Sequence, residues 1–189
     1  MAKALIPADD ILRRALELLD QQGSSALNIR RLSADLGISP RTLYKQVGNQ
    51  EDLTRALVNR HFMELELTFT ECPRWADTAR NWCIELYSAL TAHPHLTDLM
   101  TIDDRAVVTQ YVMALLTSAT KAGIPEPLAI RCCRGLTNIT VNQAIVQVRS
   151  LADSRLSAEA IHQAAKLESS FFDVVDWVIS SVERETALT

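Results

Sequence analysis

Glycine is scarce, five in 189 residues, and no stretch of the chain reads convincingly as a β-strand. With 48% apolar and 22% charged residues, that composition fits an ordinary helix-rich globular chain rather than a low-complexity or fibrous one. Internal repeats and coiled-coil heptads are absent. No run of eighteen apolar residues occurs, which argues against a membrane-spanning helix. The opening MAKALIPADD lacks the long apolar stretch of a secretory signal, so a cytoplasmic location is expected. Cysteine is limited to Cys72, Cys83, Cys132 and Cys133, with no C-x-x-C spacing to hold a metal or a redox pair. These thiols read as core filler, a redox sensor being the sharper alternative. His93 and His95 flank Pro94 without the i,i+4 spacing or the carboxylate that a two-histidine metal site needs. No nucleophile–base pair stands at recognisable spacing. Neither enzymatic activity nor a metal or other cofactor is expected.

An excess of positive charge is missing as well. The net charge is −4, which by itself argues against a nucleic-acid binder. The distribution reverses that argument. Residues 1–60 hold nine Lys and Arg against seven Asp and Glu, net +2, while residues 61–189 hold ten against sixteen, net −6. A basic head on an acidic body can meet a polyanion by its head alone.

Within the head, residues 28–47 read NIRRLSADLGISPRTLYKQV. Asn28 is a good helix N-cap, and Ile29, Leu32 and Leu36 follow at helical spacing. Gly37 falls where a helix ends in the left-handed conformation, and Ile38 turns back to the core. Ser39 caps a second helix with Pro40 at its first position, where the missing N–H is no loss. Leu43 and Val47 bury that helix, leaving Arg41, Thr42, Tyr44, Lys45 and Gln46 facing outward. Helix, glycine turn, helix is the order of a DNA-binding helix-turn-helix, whose second helix enters the major groove. The outward groups suit that role. Arg41 and Lys45 can neutralise phosphates or donate to guanine, Gln46 can bond adenine, Thr42 can offer its hydroxyl or methyl, and Tyr44 can reach a phosphate. Arg30, Arg31, Arg41 and Lys45 face a single acid, Asp35, in this stretch.

The order Gly23, Leu32, Leu36-Gly37-Ile38-Ser39, Thr42-Leu43-Tyr44, Val47, Asn49 and Leu53 resembles the TetR family of transcriptional regulators, and its wording is particularly similar to the tetracycline-repressor branch. The resemblance covers roughly the first sixty residues and weakens after about residue 70. It implies that Arg30 approaches a base edge from the helix begun at Asn28, with Asn28 itself among the DNA-binding residues. It also implies that Ser39, Pro40, Arg41, Thr42, Tyr44, Lys45 and Gln46 meet bases or backbone from the next helix. Gln50 stands where the family usually carries Lys, which leaves one phosphate contact open. Lys45 and Gln46 occupy positions that are commonly aromatic or His, so the operator sequence cannot be borrowed.

The fold expected is all-α: an N-terminal three-helix helix-turn-helix domain over residues 1–50, joined to a helical effector-binding and dimerisation domain over residues 51–189. Helices are predicted at about Ala8–Gln22, the two of the motif, Asn49–Phe69 (with Leu53, Leu57, Val58, Phe62, Leu65 and Phe69 as its apolar line), Pro73 to His93 (with Trp75, Ala79, Trp82, Cys83, Leu86 and Leu90 recurring at three and four), Pro94–Met100 and Asp103–Ala122. A long helix follows to about Val148, then a polar loop at Arg149–Ser157 and two final helices at Ser157–Leu167 and Ser170–Glu185. The long and last helices are apolar over more than one face, and a surface helix needs only one apolar stripe. A partner subunit is the simplest cover, and the resemblance implies a homodimer built from these two elements of each chain.

It also implies a small-molecule cavity in the larger domain whose occupancy moves the fourth helix. Trp82, Leu86, Met100, Tyr111, Met113, Leu116, Leu136 and Phe172 are the candidate wall, mostly apolar and so suited to an apolar or amphipathic effector. Asn138 and Asn142, one turn apart, either orient that effector or bond protein groups. The expected partners are a palindromic double-stranded operator, met by two recognition helices about 35 Å apart, and the small effector. A ligand-independent architectural DNA binder is the rival reading.

Overall fold

The computed structural model describes residues 6–64, 67–101, 108–152 and 158–188, and no strand occurs among them. The helices are α1 (Ala8–Gln22), α2 (Ile29–Asp35), α3 (Pro40–Val47), α4 (Gln50–Glu64), α5 (Trp75–Ala92), α6 (Pro94–Asp98), α7 (Thr109–Lys121), α8 (Glu126–Ala152) and α9 (Ala158–Ala187), with a short 3-10 turn at Ser24–Ala26. No helix of the described residues is long and apolar enough to cross a membrane.

The N-terminal helices form as their apolar spacing dictates. Helix α1 buries Ile11, Ala15, Leu18 and Leu19, an i, i+4, i+7, i+8 stripe. It packs on α4, whose Leu53, Leu57 and Val58 are buried. Helix α4 starts with a reciprocal cap. The Asn49 side chain accepts from the backbone N–H groups of Glu51 and Asp52 (2.7 and 3.0 Å), and the Asp52 carboxylate accepts from Asn49 N–H (2.9 Å). Gly48 precedes that cap at φ +76°, and a Cβ there would lie 2.4 Å from the Asp52 carboxylate. Glycine is therefore required twice over at this junction.

Helix α4 ends at Glu64, and residues 67–72 are not helical, so Phe69 is not on its apolar line. Instead Phe69 meets Tyr111 edge-on, with centroids 6.4 Å apart. Leu65 and the side chain of Phe62 lie outside the described residues.

Helix α8 staples the body, packing against α5, α6, α7 and α9. Helix α5 buries Trp75, Ala79, Trp82, Cys83, Leu86 and Leu90, the predicted stripe, but begins at Trp75 rather than Pro73. The predicted start of α7 at Asp103 lies outside the described residues. Helix α8 runs past Val148 to Ala152. Arg149, read as loop, is helical and pairs with Asp98 of α6 (Nε–Oδ1 2.9 Å). Residues 153–157 of that predicted loop lie outside the described residues. The two predicted final helices are one, α9. The residues between them, Glu168 and Ser169, are neither Gly nor Pro, so nothing there stops a helix.

Cys83, Cys132 and Cys133 are buried in the body, as core filler. Burial is the main cause that pushes their thiols up, Cys83 and Cys132 to about 12 and Cys133 to about 11. They stay protonated and inert at neutral pH.

Candidate nucleic-acid interface

The two helices of the motif are fixed by caps and by the turn between them. Asn28 Oδ1 accepts from Arg31 N–H (2.8 Å) at the start of α2, and Ser39 Oγ accepts from Thr42 N–H (3.1 Å) at the start of α3. The end of α2 closes as a Schellman turn. Ile38 N–H donates to Ser33 C=O (3.0 Å) and Gly37 N–H to Ala34 C=O (3.1 Å), with Gly37 at φ +63°. Leu32 and Leu43 are fully buried, so their helices cannot roll.

That rigidity decides which groups face out. Pro40, Arg41, Tyr44 and Lys45 are exposed on α3, and Tyr44 keeps 51% of its surface. Arg30 is exposed on α2, with Asn28 and Ser39 at the helix starts. Among the described residues, no hydrogen bond or ion pair engages the side chains of Arg30, Arg41, Tyr44 or Lys45. The acid of this stretch is already occupied. Asp35 is held by Arg14 of α1, through Arg14 Nε and through Nη2 at 3.0 Å. That hydrogen bond is the main reason its carboxyl sits below the usual carboxylate range. The motif therefore presents cations with no anion between them.

Two predicted contacts behave differently. Gln46 does not face outward. It is half-buried, and its Nε2 donates to Ile6 C=O before α1, because one more turn of α3 points it toward the helix behind. Thr42 is half-buried, and its hydroxyl shares a hydrogen bond with Ser39 Oγ (2.8 Å), leaving its methyl as the free group.

Gln50 was visible in the sequence only as a departure from a pattern, and its role is structural. Its Nε2 donates to Leu27 C=O (2.6 Å) and its Oε1 accepts from Ile29 N–H (3.1 Å). One amide thus stitches the first residue of α4 to the first residue of α2. A lysine could donate to the carbonyl but could not accept from the N–H. Only the tertiary arrangement brings positions 27, 29 and 50 together.

The head is linked to the body through α4. Arg55 donates from Nη2 to Leu99 C=O (2.6 Å) and from Nη1 to Thr101 Oγ1 (3.2 Å). His61 of α4 meets His93 edge-on between α5 and α6, with centroids 4.5 Å apart.

The predicted effector wall separates into two sets. Trp82, Leu86, Met100, Tyr111 and Leu136 are buried together in the body core, with Leu116 half-buried beside them. Trp82 stacks on Tyr111 (4.9 Å), and its indole N–H donates to Tyr111 C=O (2.9 Å). Burial raises the Tyr111 phenol well above its ordinary value. Met113 is instead 51% exposed, and Asn142 is exposed in a shallow groove between α8 and α9 with Ile139, Val146 and Val174. Asn138 is half-buried, and Phe172 is half-buried against Tyr87 and under the Arg80 guanidinium (5.5 Å). Met113 and Asn142 therefore do not share one wall with Trp82, whereas Phe172 packs on the same core cluster. Further along the same groove, Val174 and Val178 flank Trp177, which is 69% exposed.

A capped two-helix unit whose second helix, α3, carries an unpaired basic face has the form of a helix-turn-helix. Residues 11–62 match the family described as "Bacterial regulatory proteins, tetR family". A relative from Saccharopolyspora erythraea, named HTH-type transcriptional regulator, is 32% identical over 92 residues, which cover 49% of this chain and 39% of that protein. The chain thus spans well under half the length of that curated relative. The fold is similar to that of the TetR family protein ActR from Streptomyces coelicolor in complex with (S)-DNPA. The TM-score is 0.71 at 23% identity, covering 97% of this chain and 100% of that one. BioQ with its double-stranded DNA operator is similar too, with TM-score 0.67 at 20% identity, covering 93% of this chain and 99% of that one.

Proposed function

We propose that the chain is a DNA-binding transcriptional regulator, a homodimeric repressor whose hold on its operator is released by a small apolar or amphipathic effector. The observation that carries the reading is the unpaired cationic face of Arg30, Arg41 and Lys45 with the exposed phenol of Tyr44, on helices fixed by two caps and a glycine turn. Phosphates would be met by Arg41, Lys45 and the Tyr44 hydroxyl, and base edges by Arg30, Arg41 and the Thr42 methyl. Gln46 would read a base only after leaving Ile6. Residues 1–50 act as the reading head and residues 51–189 as the effector and dimer body.

The dimer reading is supported by the apolar groove of α8 and α9. Exposed Trp177 and Val146 stand on it, and a second copy is their natural cover. The release mechanism is supported by the Arg55 and His61 contacts, because an effector that prefers one placement of α4 shifts DNA affinity by its differential affinity alone, typically ~1–3 kcal/mol. The solved relatives bound to (S)-DNPA and to an operator illustrate both halves on this fold.

The test is retardation of the intergenic DNA upstream of the protein's own coding sequence, followed by a compound screen on that complex. Retardation that an apolar compound reverses supports the reading. Retardation that no compound alters supports the architectural rival, and no retardation removes the DNA-binding assignment.

A further inference from the structure

Four of the five glycines, Gly23, Gly37, Gly48 and Gly123, stand at φ between +63° and +86°, where a side chain is strained. The fifth, Gly135, lies in the interior of α8 with no such backbone requirement. A helix interior disfavours glycine more than any residue but proline, so local structure gives no reason for it there. Packing within the chain gives none either. Beyond its own helix backbone, a Cβ at position 135 would meet no atom of the described residues within 4 Å.

That open space lies midway along the α8 face that borders the groove with α9. Leu128 stands seven residues before Gly135, and Ile139, Asn142 and Val146 stand four, seven and eleven after it, all on one side of the helix. Position 135 falls between the two stretches of the groove, one lined by Leu128 and Cys132 and the other by Ile139 and Val146, with Val174 of α9 in both. The stripe is therefore interrupted at its middle by a notch. On the α9 lip of the same groove stands Trp177, 69% exposed. Its indole does not fill the notch of its own chain, because no side chain comes within 4 Å of that Cβ position. Leaving so large an apolar group in water forgoes the burial that would stabilise it. One patch thus carries both a protruding knob and an empty hollow. A two-fold interface joins a patch to a copy of itself, and knob with hollow on one patch is the self-complementarity that this demands.

We infer that a second copy of this chain occupies the notch, its Trp177 indole lying over Gly135. The exchange is reciprocal, so two rings and two notches fix the register of α8 and α9 across the two-fold axis. Glycine is needed because a side chain at 135 would lift the indole off the helix backbone. The pairing rests on the homodimer reading above and names what holds it; it does not depend on DNA binding.

The full chain is compared with Gly135→Leu, Trp177→Ala and the two changes combined, by sedimentation velocity over a dilution series. Each single change is expected to weaken self-association about thirtyfold. Leucine is the better helix former and meets open space within the chain, so the helical circular dichroism of Gly135→Leu should be undiminished. In the combined variant the leucine occupies what the indole vacates, and association should recover to within about fivefold of the unmodified chain. Two positions that do not touch across the interface would give no such recovery. Single variants that associate as before, or a combined variant no tighter than the single ones, overturn the pairing and leave the homodimer reading standing. A loss of helical signal in Gly135→Leu shows the space to be filled within the chain and overturns the notch. An unmodified chain that stays monomeric strikes the homodimer reading and the pairing together.

Discussion

Replacing both Arg41 and Lys45 with Ala should change how operator binding depends on salt more than it changes anything else. Each side chain is exposed and unpaired, so its removal disturbs no packing and orphans no partner. In a dimer the double variant deletes four phosphate-seeking cations. Each neutralised phosphate contributes about −0.9 to the slope of log K against log salt, so the slope should become shallower by about 3.6. Between 50 and 200 mM salt the affinity gap between the proteins should therefore shrink by about 150-fold. Fluorescence anisotropy on a labelled operator at four or five salt concentrations measures this, with thermal melting as the control that folding is unchanged. A slope identical to the unmodified protein's would mean that α3 does not face the phosphates. The same slope change accompanied by a lowered melting temperature would indict the assumption that these residues are structurally idle.

Gln50→Leu removes both hydrogen bonds between α4 and the start of α2 and should cost about 1–2 kcal/mol in urea unfolding, whereas Gln50→Lys, keeping the donor, should cost less. An unchanged urea midpoint would show that the brace is dispensable. Trp177→Glu places a charge on the α8–α9 groove and should yield a folded monomer by sedimentation velocity, with operator binding lost; a persistent dimer would move the interface elsewhere. At pH 8, Cys72 alone should react quickly with a thiol reagent, since Cys83, Cys132 and Cys133 are buried. Those three thiols titrate higher when folded than the 9.0 of free cysteine, so the unfolded chain binds fewer protons above pH 9. Stability should therefore fall as pH rises from about 9 toward 11, by at most about 1.4 kcal/mol per thiol per pH unit, and Cys→Ser replacement would reveal it as a flatter profile.

The local chemistry of the head was legible residue by residue. Asn28, Gly37, Ser39 and Pro40 act through atoms within five residues of themselves, so their caps and turn follow from order along the chain. The stripe of α5 was legible for the same reason, because helical periodicity is a local property. The break expected in α9 failed since polar composition alone does not stop a helix; a stop needs Gly, Pro or a competing cap.

What lay beyond the sequence depends on residues brought together from afar. Gln46 turns back because Ile6, forty positions earlier, offers a carbonyl there. Asp35 is neutralised by Arg14, twenty-one positions away, and Gln50 is a brace only because Leu27 and Ile29 lie beside it. The body's large apolar side chains announced burial, but periodicity could not say whether Trp82 and Tyr111 would line a space or fill one. That the two rings stack across α5 and α7 follows from how those helices pack, and from nothing written locally in either one.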